Sequence, residues 1–290
     1  MTIDYIDKAA QWFCTIIAVL MVCLLLSLFV FIAKESLPIW LTEGVITIIA
    51  GSSWAPLTTP PRIGILTMFL STLWASCGAM AIAVPLGICC AVFLSEFAPL
   101  WASFAIRTTL RVLTGIPSVV YGFLGASVVI PWYEKIVGLS SGESLFCASL
   151  VLSIMVVPYI VAGTYTALQA IPDEYRETGY SLGVSPVHVT CRILLPIARR
   201  NMVSSISLAF GRAAGETMAV LMLAGNTLTL PFSWFSKGEP LSALIALEIG
   251  SADVGSPHYQ GIFAAGLLLL LLTSVISFAI NYTNIRGRQP

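Results

Sequence analysis

Long apolar runs separated by polar stretches dominate this sequence, and they set its predicted secondary structure. A helix that crosses a bilayer needs about 20 mainly apolar residues. The six runs that meet this requirement are Trp12–Ala33, Ile63–Phe93, Val112–Tyr133, Leu145–Ala167, Val203–Ala224 and Gly261–Ile280. Prolines inside three of these runs predict bends, at Pro85, Pro117 and Pro158. The pattern therefore predicts an all-α, polytopic integral membrane protein with six transmembrane helices.

Composition agrees with a membrane protein and argues against several other classes. Of the 290 residues, 58% are hydrophobic and only 10% are charged, whereas a soluble domain carries about 25% charged residues. The formal net charge is zero, so no basic field favours nucleic acid. The seven cysteines lack a C-x-x-C spacing and the two histidines lack a metal-motif spacing. We therefore predict neither a disulfide framework nor a metal site.

The distribution of lysine and arginine predicts the orientation of the chain, because cytoplasmic loops carry an excess of these residues. With the N-terminus in the cytoplasm, the nine cytoplasmic residues are Lys8, Arg107, Arg111, Arg176, Arg192, Arg199, Arg200, Arg286 and Arg288. The four on the opposite side are Lys34, Arg62, Lys135 and Lys237. This asymmetry predicts that both termini are cytoplasmic.

The polar stretch between the fourth and fifth runs has the sequence of two short helices joined at a glycine. Asp173 is placed to cap the first helix and Gly183 to end it. Ser185, followed by a proline, is typical of the start of a second helix, which we expect Pro196 to close. Because this stretch lies on the predicted cytoplasmic side, it is suited to present a helix to another protein.

The same stretch resembles the EAA motif of ABC importer permeases, E-A-A-x3-G-x9-I-x-L-P. The residues at its fixed positions are Glu177, Gly183, Ile193, Leu195 and Pro196. Thr178 and Gly179 replace the two alanines, and both are small, so the close packing of such a helix is retained. The resemblance implies that this helix docks into a groove on a separate ATPase. The alternative is an ordinary amphipathic loop helix.

The fifth run carries two ionisable residues, Arg212 and Glu216, near the middle of the predicted span. Such residues are costly in a bilayer and usually face a cavity or a partner. At a spacing of four they share a helical face, and Asn201 and Ser205 fall near it, while Thr217 follows directly. Two interpretations remain open: a structural salt bridge between spans, or a path for an anion, since the arginine fork matches tetrahedral oxyanions.

Three stretches carry a second resemblance. They are GRAAGETMAVLMLAGN at Gly211–Asn226, GIPSVVYG at Gly115–Gly122 and AVPLGICCAVFLSEFAP at Ala83–Pro99. Together they are similar to the C-type permease subunits (PstC) of phosphate importers, which are type I ABC importer permeases of the MetI-like class. This resemblance implies a permease core at residues 63–284 with a coupling loop at 168–200. The resemblance also implies a peripheral helix with its connection at residues 1–62 and a cytoplasmic tail at residues 285–290.

The partners and cofactors follow from the same resemblance. The chain lacks a G-x4-G-K-[ST] phosphate cradle, so we expect its energy to come from a partner. The implied assembly in a prokaryotic inner membrane contains an A-type permease (PstA-like), two copies of an ATPase (PstB-like) and a phosphate-binding protein (PstS-like). ATP and Mg would be bound by that ATPase and not by this chain, which is expected to have no enzymatic activity. In the substrate path, Glu216 could accept the proton of hydrogen phosphate, which sulfate lacks.

Several alternatives stay open at this point. The same scaffold serves sulfate and molybdate importers, and the A-type phosphate permease is similar in sequence. The chain could also act as a phosphate-sensing membrane subunit. A carrier coupled to protons or sodium is a further alternative, which the EAA-like stretch argues against.

Overall fold

The protein is almost entirely helical in the computed structural model, which describes residues 2–138 and 141–286. Arg288 and most of the predicted tail at 285–290 lie outside the described residues. The helices are α1 (Thr2–Glu43), α2 (Val45–Ala50), α3 (Leu66–Val92), α4 (Leu100–Gly115), α5 (Ser118–Leu124), α6 (Ile130–Val137), α7 (Leu145–Gln169), α8 (Glu174–Ser181), α9 (Pro186–Val189), α10 (Leu195–Ala214), α11 (Met218–Leu223), α12 (Leu241–Glu248) and α13 (Pro257–Arg286). Single π-helical turns occupy Phe93–Phe97, Gly125–Val129 and Thr190–Leu194. Two short antiparallel strands, β1 (Trp54–Ala55) and β2 (Arg62–Ile63), pair Trp54 with Ile63.

Within the described residues, four helices are long and apolar enough to cross a membrane: Gln11–Glu43, Leu66–Phe97, Leu145–Gln169 and Pro257–Ile280. A fifth span is formed if the bent pair Leu100–Gly115 and Ser118–Val137 is taken together. The remaining predicted span, Val203–Ala224, is divided between α10 and α11. The chain is therefore a multi-pass membrane protein whose fifth predicted span is a broken helix.

The prolines act differently in the three spans. The bend predicted at Pro117 is present, since α4 and the helices that follow it meet at 97°. By contrast, α3 continues without a break through Pro85, and α7 through Pro158. Each proline removes only one backbone donor. Close packing between α3 and α7 holds both helices in place despite that loss.

The contact between α3 and α7 forms the centre of the fold. Small residues let the two backbones approach closely, as is usual between membrane helices. A Cβ atom added at Gly87 would lie 2.7 Å from Cγ2 of Ile160. One added at Gly78 would lie 2.6 Å from Oγ of Ser149, which also accepts a 2.7 Å hydrogen bond from Nε1 of Trp234. The α3–α7 pair thus admits no larger side chain at these glycines.

Helices occupy parts of two connections between the spans. Helix α1 continues past Lys34 to Glu43 through Pro38. Helix α12, whose first half is buried, lies in the connection between α11 and α13. The backbone nitrogen of Leu241 donates a 2.9 Å hydrogen bond to Oγ1 of Thr72 in α3, which anchors the start of α12. Its apolar sequence after a proline was a signal for this helix.

Helix α1 lies against α13, where Phe31 meets Phe263 edge to face at 5.6 Å. Most of its described side chains are exposed. The other spans pack around the α3–α7 pair, with α10 against α7, α3 and α13.

Overpacking at the contact between α7 and α10 should destabilise the protein. A Cβ atom at Gly163 would collide with the side chain of Ser205. We expect Gly163→Val to lower the free energy of unfolding by about 1–3 kcal/mol, the usual cost of inserting carbon atoms into a packed core. Denaturant titration in detergent measures the change. Gly250→Val is the matched control, because a Cβ atom there meets nothing within 4 Å. Equal stability of the two variants would contradict the prediction.

Candidate functional site

The loop between α7 and α10 contains the helices α8 and α9, as the sequence predicts. Gly183 follows α8 with a φ of 75°, a conformation that glycine adopts without strain. Oγ of Ser185 accepts a 3.4 Å hydrogen bond from the backbone nitrogen of His188, which confirms the predicted start of α9. Asp173 precedes α8, but its carboxylate binds Arg176 rather than capping the helix.

The second helix does not close at Pro196, contrary to expectation. The chain stays helical from α9 through the π turn Thr190–Leu194 into α10, whose first turn contains Pro196. A π turn displaces the usual hydrogen-bond partners by one residue, and proline has no amide hydrogen to leave unpaired. The coupling loop is therefore continuous with the helix that carries Arg212.

Most residues of the EAA-like motif face outward or support the loop. Glu177, Thr178, Gly183 and Pro196 are exposed, whereas Ile193 and Leu195 are half-buried. Gly179 is buried, and a Cβ atom there would lie 2.7 Å from Cγ2 of Val189. Gly179 therefore leaves room for the side chain of Val189, and this glycine serves packing within the loop. The large apolar side chains left exposed around α8 and α9 are Tyr175, Tyr180, Leu182 and Val187.

An ion pair that the sequence analysis missed fastens this loop to the spans. Nε and Nη2 of Arg176 donate hydrogen bonds of 3.1 and 3.0 Å to the two carboxylate oxygens of Glu96, at the end of α3. The same guanidinium donates at 3.0 Å to the backbone oxygens of Leu168 and Ile171, at the end of α7. Only 4% of the Glu96 side chain and 14% of the Arg176 side chain are exposed. The first helix of the loop therefore moves with the ends of α3 and α7.

The shared helical face expected for Arg212 and Glu216 is not formed. Helix α10 ends at Ala214, so Glu216 lies beyond it and the two residues do not share a helical face. In the part of the chain that the structure describes, their side chains form no ion pair. Glycine at position 215 disfavours the helix, and Oγ of Ser242 donates a 2.8 Å hydrogen bond to the backbone oxygen of Glu216. That bond satisfies a carbonyl group that the break exposes.

Arg212 instead stacks on an aromatic ring. Its guanidinium carbon lies 4.6 Å from the centre of the Tyr159 ring, a cation–π contact. Both side chains line a cavity of about 360 Å³, together with Ser207, Leu208, Gly211 and Ser277. Arg212 is exposed in the single chain. Its charge is therefore accessible from this cavity and is not neutralised by a neighbouring carboxylate.

The other candidate path residues are spread along α10 and its end. Asn201 is exposed, and its backbone oxygen accepts a 3.0 Å hydrogen bond from Oγ of Ser205. Ser205 is half-buried at the contact with α7, so it serves packing. Glu216 and Thr217 are half-buried at the helix break. The structure thus places Arg212 alone of the five at the described cavity.

A second group of ionisable side chains lies at the far end of the molecule from the coupling loop. Oε2 of Glu248 accepts a 2.9 Å hydrogen bond from Nε1 of Trp54 and lies 2.7 Å from Nε2 of His258. Nearby Glu239 is only 4% exposed. Its burial, and then the negative charge of Glu248, raise the pKa of Glu239 from 4.5 to about 7.

These features belong to a multi-pass membrane protein, and comparison with known proteins shows its family. The chain belongs to the binding-protein-dependent transport system inner membrane components, whose family pattern matches residues 83–287. It is 31% identical to the probable ABC transporter permease protein YqgH of Bacillus subtilis, over 94% of this chain and 89% of that protein. It is 32% identical to the phosphate transport system permease protein PstC of Mesorhizobium japonicum, over 82% of this chain and 78% of that protein.

Solved structures show the same fold. A chain of the MetNI methionine ABC transporter matches with a TM-score of 0.57 at 18% identity, covering 78% of this chain and 95% of its own. A chain of a bacterial alginate importer matches with a TM-score of 0.58 at 16% identity, covering 77% and 80%. These likenesses confirm the predicted MetI-like permease fold.

Breaking the Glu96–Arg176 ion pair should be costly. We expect Glu96→Ala to lower the free energy of unfolding by about 3–5 kcal/mol, because it leaves a largely buried guanidinium without its carboxylate. Denaturant titration in detergent measures this. The control is Asp173→Asn, since Asp173 also binds Arg176 but 83% of its side chain is exposed. That variant should lose less than about 1 kcal/mol. Similar losses in both variants would rule out a special role for the buried pair.

Protonation of Glu239 should make stability depend on pH. Because its pKa is raised to about 7 in the folded protein, its stabilising effect is fully present below its ordinary pKa and is lost as pH rises through the raised value. The melting temperature of the wild type should fall between about pH 5 and about pH 8, and Glu239→Gln should reduce that fall. Exposed Asp253 provides the control, as Asp253→Asn should keep the wild-type profile. An unchanged profile in Glu239→Gln would refute the assignment.

Proposed function

We propose that this chain is the permease subunit of an ATP-driven importer of inorganic phosphate, with Arg212 in its translocation path. The identity of about a third to phosphate permeases, over most of the chain, is the observation that carries the proposal. The cavity around Arg212 supports it. A guanidinium with no carboxylate partner and an open face is suited to a tetrahedral oxyanion, which it binds through two parallel hydrogen bonds.

Selectivity for phosphate over sulfate would come from a group that accepts a proton. Hydrogen phosphate donates one hydrogen bond at neutral pH, and sulfate donates none. The carboxylate of Glu216 is half-buried and lies four residues beyond Arg212, outside its helix and not paired with it. It is therefore available to accept the bond from phosphate when the anion approaches Arg212.

Energy would reach this path through the coupling loop. The exposed apolar side chains on α8 and α9 are suited to a groove on an ATPase, where a docked helix transmits rigid-body motion. Two copies of the ATPase would hold ATP and Mg, and an A-type permease would complete the path. A phosphate-binding protein would deliver the anion to the side opposite the loop. In this assembly both termini and the loop face the cytoplasm of a prokaryotic cell.

The proposal predicts ATP-dependent uptake of labelled phosphate by the full complex in proteoliposomes. We expect Arg212→Ala to abolish uptake in an assembled complex, because the guanidinium that lines the cavity among the described residues is then lost. We expect Glu216→Gln to reduce the preference for phosphate over sulfate about tenfold, the value of one hydrogen bond to a charged group. Competition between the two labelled anions measures the preference.

Asp253→Asn is the matched control, since it removes an exposed carboxylate far from the cavity. Uptake of sulfate or molybdate in preference to phosphate would replace the substrate with another tetrahedral oxyanion. Normal uptake by Arg212→Ala, together with altered phosphate-dependent gene expression in cells, would favour a sensing subunit. Uptake without ATP would favour an ion-coupled carrier.

A further inference from the structure

A second cavity, of about 320 Å³, lies between α4 and α7. Arg107, Arg111 and Thr114 line it from α4, while Tyr159 and Tyr165 line it from α7. The two arginines are four residues apart in one helix, so they share a face. Among the residues that the structure describes, neither guanidinium forms an ion pair with a carboxylate. Two positive charges thus meet at one cavity without a counter-ion.

Contacts with a tyrosine hold one of these charges in place. Nη1 of Arg107 donates a 3.0 Å hydrogen bond to the hydroxyl oxygen of Tyr165, and its guanidinium carbon lies 4.4 Å from the centre of that ring. A guanidinium has five N–H donors, and this bond uses one. Arg107 is half-buried and Arg111 is exposed. The pair therefore keeps donors for a ligand in the cavity.

The two cavities share a wall. Tyr159 lines both of them, and Arg212 stacks on its ring. Along α7, the second cavity extends from Tyr159 to Tyr165, in the direction of Gln169. The coupling loop holds that end of α7. An anion that leaves Arg212 in this direction meets Arg107 and Arg111 next.

We propose that Arg107 and Arg111 form a second oxyanion site for phosphate, between Arg212 and the coupling-loop side of the membrane. This proposal rests on the proposed function. Successive weak sites let an ion enter and leave a path, whereas one strong site would retain it. Two guanidinium groups draw the dianion off Arg212, and it leaves past Arg107, which contacts Tyr165 on the coupling-loop side.

The test uses the full complex in proteoliposomes with a saturating amount of phosphate-loaded binding protein. The double variant Arg107→Gln/Arg111→Gln should lower the maximal uptake rate about tenfold, since hydrogen bonds to a charged ligand are lost. The concentration of loaded binding protein that gives half the maximal rate should not change, because the site lies away from the delivery side. Arg62→Gln, which removes one exposed arginine in β2, is the control for loss of a positive charge elsewhere.

A double lysine variant distinguishes anion binding by the two charges from simple packing of Arg107 on Tyr165. Arg107→Lys/Arg111→Lys keeps both charges and should retain most of the uptake. The proposal is overturned if the glutamine variant transports at the wild-type rate, or if the lysine variant loses as much as the glutamine variant in an assembled complex. Should the double variant fail to assemble, Arg111→Gln alone decides, because this exposed side chain makes no hydrogen bond in the described residues. Absence of ATP-dependent phosphate uptake in the wild type would instead refute the proposed function.

Discussion

Close packing of α3 on α7 is the constraint on which the other elements depend. Lipid supplies no hydrophobic force between membrane helices, so their association relies on small residues and on hydrogen bonds between helices. Gly78 and Gly87 of α3 provide the small surfaces, and Ser149 of α7 bonds both to the backbone of α3 and to Trp234. Helix α10 joins this pair through the contact of Gly163 with Ser205. The three helices therefore form a rigid support for the two cavities.

The Glu96–Arg176 ion pair extends this support to the coupling loop. Because one guanidinium binds the end of α3 and two carbonyl groups at the end of α7, a force on α8 acts on both helices at once. The helical run through Pro196 provides a second connection, from α9 directly into α10. Under the proposed function, a docked ATPase would thus act on the supporting pair and on the arginine-bearing helix by separate routes. A loop with only one attachment could swing without moving the spans.

Sequence reasoning succeeded where local pattern decides the structure and failed where distant contacts do. Apolar length located α3, α7 and α13, and turn chemistry located Gly183 and Ser185. Helix α12 was missed because its eight residues are too few for a span, and its apolar sequence after a proline is a weak signal without the contact with α3. The shared helical face expected for Arg212 and Glu216 was wrong because it required an unbroken helix. A serine 26 positions away in the sequence stabilises the break, and no local pattern reveals it.

Three arginines in the described residues, Arg107, Arg176 and Arg212, are of two kinds, and the difference bears on function. Arg176 has its donors satisfied by carboxylate and carbonyl oxygens, as expected of a buried cation that holds a structure together. Arg107 and Arg212 instead lie over tyrosine rings, with no carboxylate bound in the described residues. A ring orients a cation without neutralising it, and an uncompensated charge within a membrane protein is costly. Under the proposed function, the transported anion is the missing counter-ion, and the path needs sites that the anion occupies only during transport.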